Sequence, residues 1–189
     1  MARWEPGTLD RLQVAALELF EERGYDGTAV ADIAARAGLT ERTFYRHYTD
    51  KREVLVSGTT ELASLLATTI AAQPADAAPL ATVVAALEEA GRFFDARRPF
   101  SMRRQAVVEA SRDLRERELA KLDALTITLT EALAERGVDT RQAVLVATVG
   151  VSLFHVAFGH WVRDPEGRGF GLFVHQAVQD LRDAVLAGS

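Results

Sequence analysis

The 189-residue sequence has no cysteine, which excludes a disulfide frame and a thiolate metal site. Proline is scarce, at five residues, and β-branched alternation is absent. With Ala, Leu, Glu and Arg abundant, an all-α fold is expected. No unbroken run of roughly 18 apolar residues occurs. The opening MARWEPGTLDRL carries Glu5 and Asp10 and no apolar signal-peptide core. The chain is therefore expected to be soluble and cytoplasmic, with no membrane partner. No G-x-S-x-G, P-loop or H-E-x-x-H signature appears, and the neighbouring pairs Glu88/Glu89 and Arg97/Arg98 point to different sides of their helices. Neither an enzyme nor a cofactor is expected. His155 and His160 stand about 140° apart on a helix, so no metal site is expected either.

What is present is a globular composition, 48% hydrophobic and 26% charged, long enough for one domain or two small ones. Glycine and proline punctuate it into about nine helices. The first starts near Gly7, buries Leu9, Leu12, Ala16, Leu19 and Phe20, and ends at Gly24. Thr28 caps a short helix that stops at Gly38, and Thr40 caps the next, Glu41 to Tyr48. Asp50, with Glu53 three residues on, reads as the capping box of a fourth helix that breaks at QPADAAP. Longer helices follow: Leu80 to Phe94, Phe100 to Ser111, Leu114 to Arg136, one from Asp139 or Thr140 to Arg163, and, after DPEGRG, Phe170 to Ala187. Residues 1–52 are expected to form one domain and 53–189 another.

The short helices near the N-terminus have the scale of a helix-turn-helix. Within GLTERTFYRHYTDKREVL, Leu39, Phe44 and Tyr48 face inward, leaving Glu41, Arg42, Thr43, Tyr45, Arg46 and His47 outward. Arg42 suits guanine, Thr43 a thymine methyl, and Tyr45 and His47 phosphate oxygens. Lys51, a cation at the start of a helix, opposes the macrodipole unless an anion such as phosphate joins it. The whole chain has net charge −5, yet Arg36, Arg42, Arg46, Lys51 and Arg52 against Glu41 and Asp50 give 5 − 2 = +3 locally. Over residues 1–56 eight basic side chains face ten acidic ones, so a broad basic surface is not expected.

The run GYDGTAVADIAARAGLTERTFYRHYTDKREVL resembles the DNA-binding region of the TetR family of transcriptional regulators. The resemblance rests on the glycine and threonine before the second helix, its Asp-Ile-Ala core, the Ala-Gly turn with its threonine, the Phe-Tyr-x-His-Tyr aromatics and Lys51. It covers about the first third of the chain. It implies a three-helix DNA-binding domain followed by a helical ligand-binding and dimerisation domain. It also implies phosphate contacts from Thr28, Thr40, Tyr45, His47 and Lys51, and base readout near Arg42, Thr43 and Arg46. Arg42 departs from the small residue common at its position, so no known operator carries over. The implied function is a ligand-responsive repressor, binding a palindromic operator as a homodimer and released by a small apolar effector. The alternative is a protein-binding adaptor on the same fold.

In the second half, the helix ending at Arg163 and the last helix are apolar on more than one face and need two neighbours each. They are expected to pair with their symmetry mates, with Ala147, Val151, Phe173, Ala177 and Leu181 at the contact and Ala143, Ala147 and Gly150 admitting a partner backbone. A dimer also suits recognition helices about 34 Å apart. An effector cavity is expected from Phe94, Met102, Phe154, His155, Phe158 and Trp161, with Arg103, Gln105 and Glu109 as polar anchors.

Overall fold

A computed structural model describes residues 7–55 and 59–187, and its described residues form nine helices and no strand. The chain divides into two compact units: Met1–Gly58 with Arg103–Ala120, and Thr59–Met102 with Lys121–Ser189. The division differs from the expected 52/53 boundary because residues 103–120 join the first unit. There Arg104, a buried arginine, donates to the Leu55 carbonyl and pairs with Glu118, while Arg117 pairs with Glu53 and Arg103 with Glu21 at 2.5 Å.

The first unit opens with α1 (Thr8–Arg23), α2 (Val30–Arg36) and α3 (Glu41–His47). The α1 stripe buries Leu12, Ala16, Leu19 and Phe20 as its period dictates, but Leu9 lies 42% exposed, one turn beyond the core. Ile33 of α2 and Phe44 of α3 complete that core. Thr28 does not cap α2. Ala29 holds that position, its N–H donating to Asp32 at 3.1 Å.

A second difference falls at Asp50–Leu55. Asp50 accepts from the Arg52 N–H at 2.7 Å and Glu53 from the Thr49 N–H at 2.8 Å, but these bonds close turns, and α4 is described only from Thr59. The remaining helices are α4 (Thr59–Ala72), α5 (Pro79–Asp95), α6 (Arg98–Ala110), α7 (Arg112–Glu135), α8 (Thr140–Arg163) and α9 (Phe170–Leu186). The unit boundary falls within α6 and α7.

The second unit packs α5 against α4, α8 and α9 around a single apolar core. Its helix ends are closed by long-range bonds. Arg136 donates to the Ile70 and Gln73 carbonyls at 3.0 and 2.9 Å, satisfying the C-terminus of α4. Asp139 accepts from the Arg141 and Gln142 N–H groups and starts α8. Asp95, at the end of α5, accepts the Phe170 N–H at 2.9 Å and starts α9. At Gly150 of α8 the α5 side chains approach closely, since a Cβ there would lie 2.5 Å from Val83 Cγ1. The close approach expected between protomers is therefore made inside one. Although polar residues interrupt it, α8 is long and apolar enough to cross a membrane by length and composition, and 39% of its most apolar window is buried in the chain.

Candidate nucleic-acid interface

Two buried aromatics hold α3 in place. Phe44 and Tyr48 are 0% and 3% exposed, and the Phe44 ring lies 5.2 Å from Tyr48 and 5.5 Å from Tyr45. That anchorage turns Arg42, Tyr45, Arg46 and His47 to the exposed side, with Tyr45 at 55%. Thr40 caps the helix, its Oγ1 accepting the Thr43 N–H at 3.2 Å and lying 3.0 Å from Thr43 Oγ1. Arg46 Nη2 lies 3.4 Å from His47 Nε2.

The turn between α2 and α3 is set from α1. Arg11 donates to the Ala37 and Gly38 carbonyls, 26 and 27 residues away, capping the end of α2. Gly38 adopts φ +65°, and a Cβ there would meet Arg11 Nη2 at 2.8 Å, so both glycine and arginine belong to the turn. Sequence reading misses Arg11, because an arginine on an exposed helix face looks like a solvated charge.

Thr28 and Lys51 are placed differently from the remaining candidates. Thr28 is 2% exposed and its hydroxyl donates to the Gly24 carbonyl at 2.9 Å. Lys51 Nζ donates to the Tyr25 and Thr28 carbonyls at 2.7 and 2.9 Å and sits 4.1 Å above the centre of the Tyr25 ring. Two of its three donors thus clamp the loop that leads into α2. Burial under this clamp, with the Asp113 charge adding to it, pushes the Tyr25 phenol up to about 12.

The local positive charge is also smaller than its formal count. Arg36 is bonded to Glu22 at 2.8 Å and to Glu18 at 3.3 Å, and its guanidinium holds Glu22 below the usual carboxylate range. Arg52 does the same to Asp50 across 2.6 Å. Arg42 and Arg46 remain as the outward cations of α3.

This exposed, aromatic-anchored helix with two outward guanidiniums has the form of a recognition helix. The profile described as "Bacterial regulatory proteins, tetR family" matches residues 12–57, which span α1 to α3 and the Lys51 turn. Residues 12–57 thus match the DNA-binding region of the TetR family. Over 73 residues the chain is 36% identical to the HTH-type transcriptional regulator TcmR of Streptomyces glaucescens. That match spans 39% of this chain and 32% of TcmR. The TetR-like fold extends further. The chain resembles the transcriptional regulator FadR of Bacillus subtilis, solved with stearoyl-CoA, at 17% identity and a TM-score of 0.60, covering 89% of this chain and 95% of that one. It also resembles FadR of Thermus thermophilus, a TetR-family repressor solved with lauroyl-CoA, at 22% identity and a TM-score of 0.56, with 93% of each chain covered. At these identities the likeness to FadR is one of fold.

Of the expected effector residues, four come together. Phe94, Phe154, Phe158 and Trp161 join Phe170 in one aromatic cluster with ring centroids 5.0–6.0 Å apart. The rest do not converge on it. Met102 and His155 are exposed, Gln105 donates to Glu109 at 2.8 Å, and Arg103 is held by Glu21. The expected dimer residues Ala147, Val151, Phe173 and Ala177 are buried in the protomer's own core, and Leu181 packs against it. Their apolar side chains serve the inner faces of α8 and α9.

Proposed function

We propose that this chain is a repressor that binds a palindromic operator as a homodimer and releases it on binding a small, largely apolar effector. The observation that carries this reading is the division of α3, with Phe44 and Tyr48 locked inside and Arg42, Tyr45, Arg46 and His47 turned out. Thr43 beside Arg42 suits base edges, and Thr40, Tyr45 and His47 suit the flanking phosphates.

The outer face of α8 supports the homodimer. Leu145, Thr148, Ser152 and Val156 are exposed and share one side by their spacing, with Leu145 at 64% and Val156 at 45%. The Thr148 and Ser152 hydroxyls donate back to the Val144 and Thr148 carbonyls at 2.8 and 2.9 Å, so this side presents little unsatisfied polarity to a partner helix. On α9, Leu172 and Leu186 are exposed at 40% and 71%. Apolar effectors are supported by the aromatic cluster of α5 and α8 and by the acyl-CoA in both FadR structures.

Fluorescence anisotropy on DNA from upstream of the protein's own gene tests this. Sequence-specific affinity of about 10⁻⁸ M or tighter is expected, resisting an unrelated competitor duplex. Indifference to sequence both there and across a random-sequence pool would remove the operator reading.

A further inference from the structure

One polar atom of the core has no role in anything described so far. Trp161 is 0% exposed, and its Nε1 is the one buried side-chain nitrogen or oxygen without a hydrogen-bond partner among the described residues. A buried donor left unpaired is destabilising, whereas a phenylalanine would fill apolar space without that penalty. Rings surround the indole on several sides. Phe94 and Phe170 meet the indole edge to face, at 65° and 89°, and a ring face is a weak acceptor.

We propose that Trp161 Nε1 is the polar anchor of the effector site, which takes a neutral, flat, apolar molecule carrying one hydrogen-bond acceptor. This rests on the effector-responsive reading above and narrows it. The apolar part of the ligand packs among Phe94, Phe154 and Phe170, and its acceptor takes the indole N–H. Phe158 is the partly buried member of the cluster, so its ring is the one that swings aside to admit the ligand.

Charge selects against an anionic head. The Arg98 guanidinium lies 5.0 Å from the Trp161 ring, but it donates to the Asp164 and Arg168 carbonyls at 2.6 and 3.0 Å. Arg168 is in turn engaged by Asp164 at 2.5 Å and by Glu166 at 3.4 Å. Both arginines are thus engaged, Arg98 by carbonyls and Arg168 by carboxylates, so recruiting either for a ligand carboxylate would break these bonds.

The test compares the full-length wild type with Trp161→Phe, which keeps a ring in the cluster and removes the N–H. The probes are 1-indanone and indane, one bicycle with and without a carbonyl, and indane-1-carboxylate as the anion. Affinities come from calorimetry, and the indole N–H is followed by ¹⁵N NMR. The sequence has two tryptophans, so the variant assigns the resonance. Indanone is expected to bind wild type about 10-fold more tightly than indane, with the carboxylate weakest, and to move the Trp161 N–H signal downfield. In Trp161→Phe the ketone preference should vanish.

Equal affinities, a preference that survives Trp161→Phe, an unmoved indole signal or no indanone binding would each overturn the assignment. Anisotropy on operator DNA, run without probe, separates the two ideas. Specific DNA binding alongside a failed indanone test leaves the repressor reading intact, while absent DNA binding removes that reading whatever the indole does.

Discussion

Lys51 offers the sharpest separation between a DNA contact and a structural clamp. Its ammonium donates to the Tyr25 and Thr28 carbonyls and covers the Tyr25 ring. Lys51→Met keeps the apolar stem and removes the charge. The loss comprises two hydrogen bonds from a charged donor and one cation–π contact. Because the site is only partly buried, a total of about 2–3 kcal/mol is expected. For a chain of this size that corresponds to a fall in Tm of roughly 5–10 °C. Operator affinity should fall as well, because the loop from Tyr25 to Thr28 sets the start of α2, and α2 supports α3. The salt dependence, however, should stay as in wild type. Were the ammonium on a phosphate, a dimer would lose two neutralised phosphates and the slope of log K against log salt would flatten by about 1.8. Anisotropy at four salt concentrations and a melt followed by circular dichroism decide it. An unchanged Tm with a slope flattened by that amount would refute the clamp.

Three further perturbations address other links. Gly150→Ala gains about 1 kcal/mol of helix propensity but forces a Cβ to within 2.5 Å of Val83 Cγ1, so net destabilisation of about 1 kcal/mol is expected in urea melts. Val83→Ala should recover part of it, and strict additivity would sink the packing explanation. The Asp164 carboxyl is held down to about 2, chiefly by its bond to Arg168, so its contribution is complete above an unfolded value near 4 and is lost as pH falls from about 4 to about 2. The urea midpoint should drop across that window in wild type, and the drop should be smaller in Asp164→Asn. Leu145→Glu combined with Val156→Glu alters exposed positions and should cost the protomer at most about 0.5 kcal/mol. Sedimentation should then show monomers, and dimers that persist would place the interface elsewhere.

Most helix boundaries were legible because their signals are local. Gly24, Gly38 and Gly137, all at positive φ, stand at helix ends, Pro79 opens α5, and Asp139 caps α8. The α3 face was readable because Phe44 and Tyr48, four apart, fix which side is inward. Failures occurred where a residue's partner is distant in sequence. Arg103 looked like a polar anchor for a ligand, and its partner Glu21 lies 82 residues away. Arg104 reaches a carbonyl 49 residues away. For α8 and α9, periodicity reveals that two faces are apolar but not which one meets the protomer's own core. The pattern alone therefore puts Ala147 and Phe173 outward, whereas both are buried and Leu145, Val156 and Leu172 are among the exposed residues.

If the chain works as the proposed homodimer, the pairing of charges bears on what the second copy contributes. Arg36 and Arg52 are bonded to carboxylates, and the Lys51 ammonium, though still charged, is turned onto carbonyls, so the cations that α3 turns outward are Arg42 and Arg46. If both meet phosphate, one protomer releases few counterions, with a salt slope of about −1.8, and its nonspecific hold on DNA is weak. Two protomers double the slope to about −3.6. They also gain from linkage, since the second recognition helix binds at the effective concentration set by the first. A weakly basic half-site therefore makes occupancy depend on the spacing of the two α3 helices rather than on charge alone. That dependence gives an effector leverage, because a ligand that disfavours the spacing removes the second helix's contribution without touching any DNA contact. A 100-fold loss of operator affinity then needs only about 2.7 kcal/mol of differential binding between the two arrangements.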